Sequence, residues 1–439
     1  MRSTNGGARF LALCIILCLC SACSTGPSQQ ATVTPVATAP ALAAGEAILP
    51  YSQIHFHDAP LPTQADLRLP VNAWSLEGYD STATRAVTLT SCCGGQSSSS
   101  GTPLTPAPLW FRSFGMPLLN APIIGNNHVY LLAPDGYLHV LGVHTGAEQW
   151  RVPMGGEMTA NGLALANGLL YLALAGHYIA ALDADTGQLR WRFDTVGVVR
   201  AAPMVVGRDL LVASGANSLV CLDALTGEEY WAFHSEDALA QFWPTRTPPA
   251  IAHGLVYVAL GASNEFNALD LRTGRKVWEA ALGERMTGGP MVDQALRLVY
   301  VITWSGRIVA YDSRTGKLRW SAHILGGSES SPALSLQLDT LYLGGFDGNL
   351  YAFAADSGRL SWHTAMGSAV VASPAVVQSG KRDWVIVATQ GGDCVIVDAR
   401  NGIHLYHWQL GELRAAPIVA NNTLYQASLG DHGLFAVRL

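Results

Sequence analysis

A glycine followed four residues later by a large aromatic residue recurs along this chain at intervals of about 40 to 47 residues. The fullest copy, at 181–191, reads Ala-Leu-Asp-Ala-Asp-Thr-Gly-Gln-Leu-Arg-Trp. A period of this length with several short strands per unit is typical of a β-propeller, so the repeat predicts an all-β fold. The seven pairs are Gly146/Trp150, Gly187/Trp191, Gly227/Trp231, Gly274/Trp278, Gly316/Trp320, Gly358/Trp362 and Gly402/Tyr406.

Each repeat is predicted to form four strands, and the second strand is the clearest because most copies read like Leu-Tyr-Leu. Only seven of these second strands are followed by a glycine–aromatic strand, because the chain ends at Leu439 after the third strand of the eighth unit. The sequence therefore lacks one fourth strand at its C-terminal end. The eight second strands lie at 129–131, 170–172, 210–212, 256–258, 299–301, 341–343, 385–387 and 424–426.

The missing fourth strand is predicted near the N-terminal end of the repeats, around Trp110. Trp110 precedes Pro122 by 12 residues, and the same interval separates Trp191 from Pro203. We therefore expect residues 109–114 to complete the last blade and to close an eight-bladed ring of four-stranded antiparallel blades. Closure removes the two open edges on which other chains would pair.

The repeated residues are interpreted as structural. An Asp such as Asp183 can accept hydrogen bonds from the turn that follows it, and Gly187 supplies the positive φ that the turn needs. Trp191 then presents a flat apolar surface to the neighbouring blade. No catalytic role is assigned to these residues.

The N-terminus has the features of a secretory signal. Arg2 and Arg9 precede a largely apolar run at 10–22, which is thirteen residues long and shorter than the roughly 20 residues that span a bilayer. Cys23 follows Ser-Ala and resembles the lipidated cysteine of a bacterial lipobox, although Cys20 stands where Leu is usual. Lipidation of Cys23 is therefore predicted, with plain secretion and an uncleaved anchor as alternatives.

The chain is predicted to have four parts. Residues 24–45 are rich in Thr, Pro, Ala, Ser and Gln with little charge, a composition that cannot bury a core and suits a flexible tether. The parts are a lipoprotein-type signal peptide at 1–22, a tether at 23–45, an N-terminal extension with a Ser/Gly-rich loop at 46–108, and the propeller at 109–439.

Charge and cysteine content restrict the possible partners. The formal net charge is −6 and no basic run is present, which argues against a nucleic-acid partner because phosphate binding needs clustered Lys and Arg. Cys221 and Cys394 fall in inner strands about half a turn of the ring apart, beyond disulfide reach, and are predicted to be buried free thiols. A monomer is expected.

The repeat resembles the tryptophan-docking motif of the pyrroloquinoline quinone (PQQ) propeller superfamily, over roughly residues 71–439. Residues 74–85, which read Trp-Ser-Leu-Glu-Gly-Tyr-Asp-Ser-Thr-Ala-Thr-Arg, are similar to the lead-in that precedes the first blade in such proteins. The superfamily contains quinone- and calcium-dependent alcohol dehydrogenases. It also contains non-catalytic propellers such as the BamB-type lipoprotein of the outer-membrane assembly machine.

The resemblance is closer to the non-catalytic branch. The dehydrogenases use a vicinal disulfide, a Trp, a calcium-binding set of Glu, Asn and Asp, and a basic Asp. Cys92-Cys93 alone is similar to this set, and it precedes the first full blade. No catalytic residue, cofactor or metal site is therefore predicted. The alternative is a PQQ- and calcium-dependent alcohol dehydrogenase.

One face of the propeller is predicted to bind a protein partner. In an up-and-down blade, the links between blades and the turns between second and third strands share one face, here called the insertion face. The interval from Trp231 to Pro249 is 18 rather than 12, so residues 235–244 contain an insertion on this face. Exposed aromatic residues are typical interface anchors, although a cap over the channel is the alternative. The candidate partner-binding residues are Phe242, Trp243, Phe266, Trp304 and Phe346.

Arginines are predicted to gather at the channel mouth on the insertion face. Arg200, Arg246 and Arg414 stand three residues before the Pro column, in the same column as Glu329. A positive ring of this kind would attract an anion or an acidic side chain; the alternative is solvated arginines paired with nearby carboxylates.

The expected protein is an extracytoplasmic β-propeller, lipid-anchored to a bacterial membrane, that acts as a protein-interaction scaffold, with envelope protein assembly as a candidate role. A secreted form is the alternative location. An anion or polymer sensor is a further alternative function, besides the quinone enzyme.

Overall fold

The computed structural model describes residues 86–88, 107–154, 162–174, 177–215, 218–236, 245–261, 264–379 and 382–439. These residues form eight β-sheets, seven with four strands and one with five. The prediction of an eight-bladed, all-β propeller is confirmed. Within the described ranges, no helix is both long and apolar enough to cross a membrane.

The first two strands, β1 (Ala86–Thr88) and β2 (Ala107–Ser113), precede the first complete blade. Blades one to four then follow in chain order, each built from four consecutive strands. Their strands are β3 (Ile123–Gly125), β4 (His128–Leu132), β5 (Tyr137–Gly142), β6 (Glu148–Pro153), β7 (Leu163–Ala166), β8 (Leu169–Leu174), β9 (Tyr178–Asp183), β10 (Leu189–Asp194), β11 (Met204–Val206), β12 (Asp209–Ser214), β13 (Ser218–Asp223), β14 (Glu229–His234), β15 (Ala250–Ala252), β16 (Leu255–Val258), β17 (Glu265–Asp270) and β18 (Lys276–Ala281).

Blades five to seven repeat this order, and the eighth blade supplies only three strands from the C-terminal end. Their strands are β19 (Met291–Asp293), β20 (Leu298–Ile302), β21 (Arg307–Asp312), β22 (Leu318–His323), β23 (Ala333–Ser335), β24 (Thr340–Gly344), β25 (Asn349–Ala354), β26 (Leu360–Ala365), β27 (Ala375–Ser379), β28 (Arg382–Ala388), β29 (Asp393–Asp398), β30 (His404–Gln409), β31 (Ile418–Ala420), β32 (Thr423–Ser428) and β33 (Gly433–Arg438).

The fourth strand of the last blade is β2, as the interval before Pro122 predicts. It pairs antiparallel with β33, from Ala107 opposite Arg438 to Ser113 opposite Gly433. The strand begins two residues before the predicted propeller boundary at 109. The N-terminal and C-terminal ends of the propeller are therefore held in one sheet, which closes the ring.

The inner strands of each blade are buried on both faces because a neighbouring blade covers each side. All six residues of β13 are buried, whereas β22 alternates between exposed and half-buried residues. Apolar residues at consecutive positions therefore suit the inner strands, and alternation suits the outer strand. The core consists of these layers between blades.

The repeated Asp, Gly and Trp residues join neighbouring blades. In the second blade, Asp183 Oδ1 accepts from the backbone N–H of Thr186 at 2.9 Å. Trp191 Nε1 donates to the carbonyl oxygen of Ala224 in the third blade at 3.0 Å. Gly227 has a φ of 76° and leaves room for this indole, since a Cβ there would lie 2.7 Å from Trp191 Cε3. The structural interpretation of the repeat agrees with this geometry.

Cys221 and Cys394 are buried free thiols, as predicted. Burial raises the pKa of both thiols to about 12, with carboxylates near Cys221 adding to the effect. Thiolates are the reactive species of cysteine, so neither side chain is prepared for chemistry at neutral pH.

Three residues of the predicted N-terminal extension form a strand of their own. β1 lies parallel to β27, with Ala86 opposite Val376 and Thr88 opposite Gln378. Because β27 is the innermost strand of its blade, β1 lies on the channel side. The inner edge of β27 carries backbone groups without a partner inside the blade, and a parallel strand satisfies them. Residues 86–88 therefore run from the insertion face into the channel.

Candidate functional site

Two of the predicted interface aromatics lie next to each other on the insertion face. Trp304 occupies the turn between β20 and β21 and is 44% exposed. Phe346, in the corresponding turn of the next blade, is half-buried. The two rings meet edge to face with centroids 5.5 Å apart. Aromatic pairs prefer this arrangement to face-to-face stacking.

Arg285 extends this aromatic pair. Its guanidinium carbon lies 4.2 Å from the centre of the Trp304 ring, within the range of a cation–π interaction. The backbone N–H of Trp304 donates to the carbonyl oxygen of Arg285 at 3.2 Å, which fixes the turn relative to the preceding link. Arg285, Trp304 and Phe346 are called the aromatic ridge below. Arg285 is not among the predicted site residues, because it lies two positions before Thr287, the residue of this blade that precedes the Pro column by three.

Glu284 holds the turn that carries Trp304. Its Oε1 accepts from the hydroxyls of Thr303 and Ser305, each at 2.7 Å, and its Oε2 accepts from the backbone N–H of Ser305 at 3.1 Å. Burial opposes ionisation of this carboxyl group, but these hydrogen bonds outweigh it and lower the pKa of Glu284. The support is therefore complete above the unfolded-state pKa and is lost as the pH falls through the lowered value.

Gly327 allows the two aromatic turns to approach each other. Its φ is 85°, and a Cβ there would lie 2.5 Å from the carbonyl oxygen of Trp304 and 3.3 Å from Phe346 Cδ2. Phe346 also donates its backbone N–H to the carbonyl oxygen of Gly327 at 3.0 Å. The ridge is thus supported by backbone contacts as well as by ring packing.

The prediction of Phe266 as an exposed interface residue is wrong. Phe266 lies inside β17 and is fully buried, where it packs against Tyr257, Trp278 and Tyr311. The strand starts at Glu265, so Phe266 occupies the second position of a third strand. In the other blades this position is also directed into the layer between blades, as Leu219 shows.

A cavity of about 590 Å³ lies at the channel mouth on the insertion face. Arg246 and Arg414 line it, as the predicted column requires, together with Glu329 and with Arg285 from the aromatic ridge. Arg200 is half-buried and does not line this cavity. The cationic side of the cavity therefore consists of Arg246, Arg285 and Arg414.

Several predicted residues lie outside the described residues: Cys23, Phe242, Trp243, Cys92 and Cys93. In the ranges that are described, no three His, Cys, Asp or Glu side chains converge in a group that could hold a metal ion.

A family model described as outer membrane protein assembly factor BamB matches the chain. It matches twice, at residues 134–333 and 262–437, and the two matches together span most of the propeller. No curated protein matches the sequence.

Solved structures of both branches of the superfamily have similar folds. BamB from Moraxella catarrhalis is 20% identical with a TM-score of 0.58, covering 77% of this chain and 99% of its own. A europium-containing methanol dehydrogenase is 15% identical with a TM-score of 0.68, covering 85% and 99%. A quinohemoprotein alcohol dehydrogenase from Comamonas testosteroni is 14% identical with a TM-score of 0.67, covering 83% and 80%. At these identities the similarities show the fold alone.

Proposed function

The chain belongs to the family of outer membrane protein assembly factor BamB, and from that premise we propose that it is a membrane-tethered, extracytoplasmic scaffold for protein interactions. Its role is in envelope protein assembly, and its docking surface is the insertion face. The aromatic ridge carries the proposal. The chain is not assigned a catalytic activity.

The ridge has the properties of an interface anchor. An exposed tryptophan that is already fixed in position loses little conformational entropy on binding, so most of the burial energy is retained. Tryptophan and arginine are also the residue types most enriched among side chains that dominate binding energy. Trp304 and Arg285 satisfy both conditions, since Glu284 and the backbone hold their loops in place.

Replacement of Trp304 by Ala is expected to weaken partner binding by about 30-fold or more, since an anchor of this kind contributes about 2 kcal/mol or more. The measurement is quantitative recovery of partners from solubilised membranes on the immobilised protein. Addition of Phe346→Ala to the Trp304→Ala protein should weaken partner binding further. The matched control is Leu318→Ala with Leu336→Ala, which removes apolar side chains that are at least as exposed as Trp304 but lie at turns on the opposite face, at the start of β22 and after β23.

Equal recovery by the Trp304→Ala protein and the control would contradict the docking assignment. Phe242→Ala with Trp243→Ala tests the insertion at 235–244 in the same assay, because that segment was predicted to share the surface. Dye-linked alcohol oxidation after addition of PQQ and Ca²⁺ to the purified protein would overturn the scaffold proposal in favour of an enzyme.

The tether is tested separately through Cys23. A Cys23→Ser chain is expected to move from the membrane fraction to the soluble fraction and to lose incorporation of a labelled fatty acid. Lipidation would hold the protein at the membrane, because each methylene group of a buried acyl chain contributes about 0.8 kcal/mol to membrane binding. Retention of the label, or of membrane association after high-salt washing, would exclude this cysteine as the anchor.

A further inference from the structure

The cavity at the channel mouth has a cationic lining that the scaffold proposal does not use. Three arginines, Arg246, Arg285 and Arg414, face one lining carboxylate, that of Glu329. Arg414 also contacts Glu412, with its Nε 2.8 Å from a carboxylate oxygen. Arg246 is exposed and has no ion-pair partner among the described residues.

Three hydroxyl groups in the same lining are committed as hydrogen-bond acceptors. Thr245 Oγ1 accepts from the backbone N–H of Gly261 at 2.8 Å, and Ser331 Oγ accepts from that of Gly289 at 2.8 Å. Ser373 Oγ accepts from the backbone N–H of Ser331 at 2.9 Å. A hydroxyl has one hydrogen to donate besides the bonds it accepts. The hydrogens of these three hydroxyls therefore remain available as donors.

Burial makes these donors significant. Thr245, Ser331 and Ser373 are 3%, 9% and 6% exposed, and the hydrogen bonds that their hydroxyls accept fix them in the cavity wall. A donor that is already fixed in position loses little conformational entropy when a ligand binds to it. A ligand that brings oxygen acceptors into the cavity would therefore meet preorganised donors.

We propose that this cavity is a carboxylate-binding site for an anionic ligand. Guanidinium groups recognise carboxylates through paired N–H donors, and hydroxyl donors complete the coordination of the remaining oxygen lone pairs. The volume of about 590 Å³ lies within the range of small-ligand sites, about 300–1,000 Å³. The site accommodates either a small polycarboxylate or the acidic side chains of a peptide segment.

Arg285 connects the cavity to the aromatic ridge. The same guanidinium lines the cavity and lies over the Trp304 ring. A peptide with an acidic residue next to an apolar residue would therefore contact both surfaces at once. This extension rests on the proposed scaffold function, whereas carboxylate binding by the cavity does not.

The test is titration of the purified protein by calorimetry at low ionic strength with two probes, citrate and a capped hexapeptide of glutamate. Arg246→Ala and Arg414→Ala are each expected to weaken binding about tenfold, the effect of losing about 1.4 kcal/mol from a charged hydrogen bond. Charge reversal at both positions should abolish binding. Affinity should also fall as NaCl is added.

Arg314→Ala is the matched control, because Arg314 is equally exposed but lies in a turn on the opposite face. Binding of citrate alone would identify a small polycarboxylate as the ligand, and binding of the hexapeptide alone would identify an acidic segment. Absence of binding by both probes at millimolar concentration would overturn the proposal, as would an equal loss in the Arg314→Ala protein. Partner recovery through Trp304 is measured independently, so either proposal can fail without the other.

Discussion

Replacement of residues 107–113 by a glycine–serine linker of equal length is expected to remove more than about 5 kcal/mol of folding free energy, which is comparable to the whole stability of an ordinary domain. The segment contributes all of β2, and its loss exposes the edge of β33. The replacement also removes the contact between the rings of Phe111 and Phe435, whose centroids are 4.5 Å apart. Trp110 no longer donates to Val143 of the first blade at 2.9 Å. Trp110 is half-buried, so loss of its packing adds to the loss of a whole strand.

Urea unfolding followed by tryptophan fluorescence measures the loss, and gel filtration shows whether the open edge of β33 pairs with other molecules. A synthetic peptide of residues 105–115 should restore monomeric behaviour when it is added in trans, whereas a scrambled peptide should not. The same linker placed at 95–101 controls for the change in composition. A monomer of unchanged stability would mean that the ring does not depend on its N-terminal strand.

The closing strand was predictable because a constant number of residues separates the outer-strand Trp from the Pro column. Interblade packing requires each outer-strand aromatic residue to reach the next blade, so the interval from Trp to the Pro column is 12 residues wherever the link between blades carries no insertion. Trp110 satisfies this spacing without the Thr-Gly, Ser-Gly or Asn-Gly turn that precedes the other copies. The short strand β1 left no such trace, since it depends on a free backbone edge of β27 rather than on side-chain identity.

The candidate site was predicted less completely. Trp304 was found because a turn residue on a known face needs no further geometry to be placed. Phe266 was misassigned by placing it in the turn, whereas β17 begins one residue earlier. Arg285 was not predicted because its position depends on the indole of Trp304, 4.2 Å away, and the spacing of the repeats carries no information on a contact between two loops. Sequence periods therefore locate backbone elements better than they locate side chains that reach across loops.

Replacement of Trp278 by Ala is expected to destabilise the propeller by about 3–5 kcal/mol, because a large buried side chain leaves a cavity between two blades. The indole packs against Tyr257 and Phe266, with ring centroids 6.0 and 5.7 Å away. A Cβ on Gly316 would lie 2.6 Å from Trp278 Cε3, so the neighbouring blade fits the ring closely. Urea unfolding measures the loss, and Val277→Ala on the exposed side of the same strand is the control.

The hydrogen bonds at this junction are expected to be coupled. Trp278 Nε1 and Tyr257 Oη both donate to the carbonyl oxygen of Ser313, each at 3.0 Å. Trp278→Phe or Tyr257→Phe alone leaves one donor on that oxygen, so each should cost about 0.5–1.5 kcal/mol. The double variant leaves a buried carbonyl without either donor and should lose about 1 kcal/mol more than the sum.

A double-mutant cycle in urea measures this coupling directly. Additive losses would show that the two donors act independently and that the shared carbonyl has no special role. The pull-down on Trp304 provides a second readout, because β18 carries Trp278 and leads into the link that contains Glu284 and Arg285. Trp278→Phe should keep that link in place and preserve partner recovery, whereas Trp278→Ala should displace it and reduce recovery together with stability. Loss of recovery in the phenylalanine variant without loss of stability would instead assign the indole N–H a direct part in holding the binding face.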